Sequence, residues 1–296
     1  MVRLEGIHFM MPTPFDEEGR IDEESIRLLV GLAAKAGCRG VVCLGVTGET
    51  IRLTDAERKI VAAAVMKEAK GNLTVTVGTS ATGTDMVVQR SKEAASLGAS
   101  AVMISPVPVA KQNLEAVFNF YKTIAAAIDI PIVVQDYPKE SDVFMPASFI
   151  ARLHQEIDKA KYLKLEDAPT PPKVTAVTKL TGSGMGIFGG LGGTFLYEEL
   201  KRGACGTMTG FAFPEILVRI YNHMTRGETE KASQLFYRYL PLVRYEFQEG
   251  IGISLRKEVL KRRGFIRCAK VRHPGSEIDE VTRQELFQLM DTLELK

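Results

Sequence analysis

Cysteine and histidine are scarce in this chain. Four of each stand among 296 residues. Cys38, Cys43, Cys205 and Cys268 form no CxxC pair, and they lack both partner histidines at zinc spacing and the density of a secreted disulfide framework. Reduced thiols in a cytoplasm are the expectation. His8, His154, His223 and His273 are scattered without a second ligand at metal spacing, so no metal is expected. An excess of one charge is also missing: 38 Lys and Arg against 36 Asp and Glu leave +2. That falls far short of the basic excess that binding along a phosphate backbone requires, which sets nucleic acid aside as a partner. Long apolar runs are absent too. The opening MVRLEGIHFMMPTPFDEEG places Pro and acidic residues where a signal peptide needs continuous apolar sequence, and no later stretch approaches the roughly 18 apolar residues of a membrane span. No membrane partner is expected.

What the chain does have is rhythm. Short apolar, β-branched runs recur through the first two thirds: GIHFMMP, GVVCLG, LTVTVGT, SAVMIS, PIVVQD, KYLKLE, GIFGG and CGTMTG. Stretches of helical periodicity separate them, such as Ile26, Leu28, Leu29, Leu32 and Ala33, so strand and helix alternate as in a parallel sheet. Thr54 with Glu57 predicts a capping box and Thr82 with Asp85 a weaker one; Pro146, Pro171 and Pro214 suit first helical turns. AGCRGVV, LGASAVM and RGACGTM each end a helix at Gly and start a strand about three residues later. Eight such units without an interruption fit a (β/α)8 TIM barrel better than a doubly wound sheet, which needs a switch point. Strand signals stop after about Phe213, and helices are predicted over 215–224, 228–243, 254–263 and 277–295. The expected organisation is a barrel over 1–225 with a helical extension over 226–296. Arg256, Lys257, Lys261, Arg262 and Arg263 on that extension read as a solvated face, with an anion site as the alternative.

A barrel places its active site at the C-terminal ends of its strands, so polar residues there carry the chemistry. Lys164 lies inside the apolar strand Tyr162-Leu163-Lys164-Leu165. A lysine so placed must snorkel, pair with a carboxylate, or give up its proton, and the free amine attacks carbonyls. Alternation puts Glu166 on the same face, within reach of the carbon beside an imine, where a general base is needed. A buried ion pair between the two, or Glu166 capping the next helix, are the structural alternatives. Gly45-Val46-Thr47-Gly48-Glu49 ends strand two, where backbone N–H groups can converge on a carboxylate or simply form a tight turn. Gly184-Met185-Gly186-Ile187-Phe188-Gly189 fits the dinucleotide pattern GxGxxG, but no strand precedes it and the next strand lacks an acidic residue for a ribose. Gly189 and Gly190, with Gly192 and Gly193, are expected instead to let backbone approach substrate.

Taken with Thr13-Pro14-Phe15, Ser254-Leu255-Arg256-Lys257 and Val271-Arg272-His273-Pro274, the Gly45–Glu49 motif and Lys164 make the chain resemble the dihydrodipicolinate synthase and N-acetylneuraminate lyase superfamily over nearly its whole length. The resemblance implies a (β/α)8 barrel with a C-terminal helical extension, usually a homotetramer. It also implies a lysine Schiff base with a small-molecule 2-oxo acid and no separate cofactor. The departures narrow the activity. Where carbon–carbon bond-making members carry Tyr-Asn-x-Pro on strand five, this chain reads Gln135-Asp136-Tyr137-Pro138. The synthase's second motif threonine is Val46, its tyrosine after strand four is missing from Ser105-Pro106-Val107-Pro108, and Lys139-Glu140 holds no arginine for a second carboxylate. Lys164-Leu165-Glu166 is similar instead to the branch that includes L-2-keto-3-deoxyarabonate dehydratase. Dehydration of a 2-keto-3-deoxy sugar acid is therefore the expected reaction, with Thr47 and its neighbours on the C1 carboxylate. Retro-aldol cleavage, with Tyr137 standing in for the missing phenol at Gln135, is the close rival. A catalytically silent sugar-acid-binding protein is the alternative of another class.

Overall fold

β-branched residues favour short extended segments, and eight of these form: β1 (Gly6–Met10), β2 (Gly40–Cys43), β3 (Thr74–Gly78), β4 (Ala101–Ile104), β5 (Ile132–Asp136), β6 (Ala160–Leu165), β7 (Gly186–Gly189) and β8 (Gly206–Thr209). The computed structural model describes residues 3–107, 111 and 113–296, so Pro108 lies outside the described residues. The strands pair parallel in chain order and β8 closes on β1. The fold is a (β/α)8 barrel; a closed ring has no switch point, which excludes the doubly wound sheet.

Between the strands run α1 (Glu23–Ala36), α2 (Asp55–Ala69), α3 (Thr84–Ser96), α4 (Leu114–Ala126), α5 (Pro138–Ser141), α6 (Ala147–Glu156), α7 (Thr170–Thr181) and α8 (Leu196–Lys201). After β8 come α9 (Pro214–Thr225), α10 (Thr229–Glu246), α11 (Gly252–Arg262) and α12 (Glu280–Thr292). The reciprocal Thr54–Glu57 box is present at α2. The Thr82–Asp85 expectation fails: Gly83 is the cap of α3, without a side-chain hydrogen bond, and Thr82 lies one residue too early to reach the free N–H groups. Gly37, Gly98 and Gly203 take φ of +82°, +92° and +98°. Each turns the chain from helix to strand three residues later, a conformation that costs a residue with a Cβ.

Side-chain alternation builds two cores. Outward-facing Ile7, Val41, Val75, Val102, Val134, Leu163 and Ile187 pack under the helices. Inward-facing Met10, Val42, Met103, Val133, Phe188 and Met208 fill the barrel. On β6 this places Tyr162 and Lys164 inside and Leu163 and Leu165 outside. The β5–β6 register slips opposite Lys161, which is half-buried and pairs with Asp158 at 2.9 Å.

His8 lies fully buried in β1, its ring 5.1 Å from that of Phe188. Burial lowers its pKa from 6.5 to about 4. The unfolded chain therefore binds a proton that the folded one refuses between these values, and stability falls as pH drops through that window. The expected loss is on the order of 3 kcal/mol. Unfolding free energies of the wild type and His8→Leu, measured from pH 7 to pH 4, should diverge by that amount; parallel curves would show that His8 does not carry it.

Candidate active site

Inward alternation at the ends of β5 and β6 brings three polar side chains together in an apolar setting. The register sets Gln135 abreast of Lys164. Lys164 is 2% exposed, and its Nζ donates to Glu166 Oε2 at 2.7 Å. Gln135 Nε2 donates to the same oxygen at 2.8 Å, while the Leu191 N–H approaches Oε1 at 3.4 Å. Glu166 is thus fixed from three sides. It does not cap α7, whose N-cap is Pro169 with no side-chain hydrogen bond. The buried ion pair exists, and it sits where a nucleophile would.

Above Lys164 opens a cavity of about 230 Å³. Lys164, Glu166, Tyr137, Val46 and Thr47 line it from the strand ends, with Met10 and Met208 at the base. Phe247, Glu249, Gly252 and Arg256 form its other wall, from α11 and the segment before it. Burial, and then the Glu166 charge, push the Tyr137 phenol up to about 12, so it stays protonated near neutrality. Gln135 lines a neighbouring cavity of about 170 Å³, which shares Val46 and also touches Gly45, Ser105 and Pro106. Asp136 faces outward to Lys173 Nζ at 2.7 Å and belongs to the scaffold.

The turn after β2 is closed by the Glu49 N–H on the Val46 carbonyl at 2.9 Å, and the Thr13 hydroxyl donates to the Gly48 carbonyl at 2.7 Å. Glu49 itself adopts φ +55°, costly for a residue with a side chain. It is held there by Lys257 Nζ at 2.6 Å, the Arg272 N–H at 2.8 Å and Arg52 Nη1 at 3.2 Å. The C-terminal motifs therefore clamp the Thr47 turn from behind. Lys257→Met should leave the Glu49 charge buried and cost about 3–5 kcal/mol of unfolding free energy, as broken buried pairs do. Adding Glu49→Gln to it should recover part of that loss in denaturant titrations; no recovery would mean that the pair is not coupled.

Two expectations about placement change here. Gly189 and Gly190 do not line the cavity: a Cβ at Gly190 would overlap the Glu166 side chain, and one at Gly189 would overlap Glu199. They make room for carboxylates instead of substrate. The basic cluster is not one solvated face, since Arg256 and Lys257 are buried and only Lys261 and Arg262 are exposed. Sequence reading missed Arg256 as a cavity residue; its i, i+4 spacing from Gly252 on α11 was the available signal. Gly184 precedes β7 and does not follow a strand, so the GxGxxG pattern lacks its strand–turn–helix setting. Among the described residues no set of three His, Cys, Asp or Glu is placed to hold a metal ion, and no helix is long and apolar enough to cross a membrane.

Comparison with known proteins agrees with this fold. L-2-keto-3-deoxyarabonate dehydratase of Azospirillum brasilense is 32% identical over 301 residues, covering 99% of this chain and 95% of that protein. The 4-hydroxy-tetrahydrodipicolinate synthase of Methanothrix thermoacetophila is 30% identical over 247 residues, 82% of each. The crystal structure of dihydrodipicolinate synthase from Rhodopseudomonas palustris superposes with a TM-score of 0.92 at 36% identity, over 97% of both chains. The model of the dihydrodipicolinate synthetase family matches residues 3–293, and the chain belongs to that family.

Proposed function

We propose that the protein is a lysine Schiff-base lyase that dehydrates a 2-keto-3-deoxy sugar acid. The observation that carries this is the Glu166 carboxylate 2.7 Å from Lys164 Nζ, steadied by Gln135 where a proton-transferring tyrosine would otherwise stand. An amide can orient a carboxylate but cannot relay a proton, so proton transfer falls to Glu166.

Substrate enters with its C1 carboxylate toward Thr47 and C2 over Lys164. Lys164 gives its ammonium proton to solvent through the open cavity and attacks C2 as the free amine, and the carbinolamine hydroxyl departs as water with a solvent proton, giving an iminium beside an unprotonated Glu166. Glu166 then takes a proton from C3, leaving an enamine whose electrons expel the C4 hydroxyl as that proton is returned to it. Tyr137, a protonated donor in the same cavity, supports the departing oxygen. Hydrolysis frees Lys164 and a product one water lighter than the substrate. The likeness to the Azospirillum dehydratase over nearly the full chain supports the same class of substrate.

The retro-aldol reading keeps one supporting feature, the Tyr137 phenol within the cavity. Product analysis separates the readings: incubation with 2-keto-3-deoxy acids of five and six carbons should give a dehydrated oxo-aldehyde or oxo-acid. Pyruvate plus an aldehyde would establish cleavage, and no product and no borohydride adduct would establish a silent binder.

A further inference from the structure

The proposed reaction brings a second negative charge into a cavity that already holds one. Glu166 lines that cavity, and a 2-oxo acid adds its C1 carboxylate one bond from the carbon that Lys164 attacks. A charge taken out of water needs a partner. Among the described residues three cations line the cavity: Arg52, Lys164 and Arg256. Lys164 is committed to Glu166 at 2.7 Å and becomes the iminium. Arg52 is committed to the buried Glu49 at 3.2 Å. Arg256 is the one left to meet the substrate.

Its surroundings leave the guanidinium with donors to spare. The side chain is 8% exposed, and its Nε is buried without a hydrogen-bond partner. Among the described residues its one ion pair is with Glu246, 4.0 Å away, and that carboxylate is already engaged by the Ala212 N–H at 3.0 Å. Burial pushes the Glu246 carboxyl up to about 7, so near neutrality it is only partly charged. The planar fork of a guanidinium matches the two oxygens of a carboxylate, and burying it is costly while its donors stay unmet.

The arginine also stands on the right side of the cavity. A Cβ on Gly210, just after β8, would lie 2.9 Å from Thr47 Cγ2 and 3.5 Å from Arg256 Cδ, so the two side chains flank one small gap in the cavity wall. After Glu246, the charges that act most on the guanidinium are those of Glu166 and Tyr137, both in the same cavity. We propose that Arg256 binds the C1 carboxylate of the 2-oxo acid, completing with Thr47 the anion site beside the imine. The inference rests on the Schiff-base reading above and adds the countercharge that reading leaves open. It makes the carboxylate itself what Arg256 selects: a 2-oxo amide of the same shape carries no negative charge, and its NH2 group turns donors toward donors.

Calorimetric titration of the full chain with pyruvate and with pyruvamide, its uncharged isostere, tests this. Borohydride trapping of the same mixtures, read by intact mass, reports the imine. The wild type should bind pyruvate at least about 10-fold more tightly than pyruvamide. Arg256→Gln should weaken pyruvate by about 10- to 100-fold, the loss expected for hydrogen bonds to a charged group, and move pyruvamide by less than about threefold. Arg256→Lys, which keeps the charge without the fork, should fall between for pyruvate. Pyruvamide needs the same folded cavity and the same Lys164, so its retention separates loss of the anchor from loss of the fold. A wild type that does not prefer pyruvate, or an Arg256→Gln variant whose pyruvate affinity is unchanged or falls in step with that for pyruvamide, would overturn the proposal. Should Arg256→Gln fail to fold, Arg256→Lys decides by the same criterion, since an undiminished preference for pyruvate overturns it. If the wild type binds pyruvate but gains no mass, the Schiff-base reading fails while the affinity comparison still decides the role of Arg256.

Discussion

Lys164→Arg should leave a folded barrel that neither turns over substrate nor gains mass with pyruvate and borohydride. The guanidinium keeps a positive charge beside Glu166, so the 2.7 Å ion pair has a replacement and the buried carboxylate is not orphaned. What the substitution removes is the capacity to become a free amine, since guanidinium does not lose its proton in a protein. Without the imine there is no electron sink at C2, and activity should fall below about one part in 10³ of the wild type, as removal of a covalent nucleophile does. Lys161→Arg is the control. It lies three residues away at the register slip, half-buried and paired with Asp158, and should retain wild-type trapping. Measurable adduct formation by Lys164→Arg would move the nucleophile elsewhere.

The residues differ in how openly the sequence declares such roles. Lys164 and Glu166 were legible because a strand has a strict two-residue period: one apolar frame fixes which neighbours share a face. Gly37, Gly98 and Gly203 were legible for a similar reason, as local turn chemistry that needs no partner. Gly189 and Gly190 were misread because a glycine records only that something comes close. That the something is Glu199 or Glu166, and not a ligand, depends on how β7 packs against β6 and α8. Arg256 and Lys257 were misread because a basic cluster on a helix looks the same solvated or buried. Their burial follows from α11 docking over the barrel mouth, with Glu49 and Glu246 waiting more than two hundred and exactly ten residues away in sequence, and a one-dimensional pattern does not hold such contacts. The same docking explains why the C-terminal motifs belong to the site at all: Lys257 and Arg272 fix the turn that carries Thr47, while Arg256 enters the cavity.

Glu166→Gln should separate imine formation from the chemistry that follows. Amide and carboxylate are nearly the same shape, so Gln135 and Lys164 can still pack against the new side chain, and the Gly190 clearance that admits Glu166 admits glutamine equally. Lys164 retains its place and should still give a borohydride adduct with pyruvate. Proton abstraction from C3 is another matter, because an amide has no basic lone pair to accept that proton. Exchange of deuterium into C3 and elimination of water should both fall by about 10² to 10⁴, the usual contribution of a placed general base. The two readouts must fall together, since elimination from C4 draws its electrons from the enamine that C3 deprotonation creates. Wild-type exchange with slowed elimination would leave Glu166 only the delivery of a proton to the leaving hydroxyl. Wild-type rates for both would make Glu166 a structural partner of Lys164 and pass the base to another group in the cavity, with the Tyr137 phenol disfavoured by a pKa pushed up to about 12.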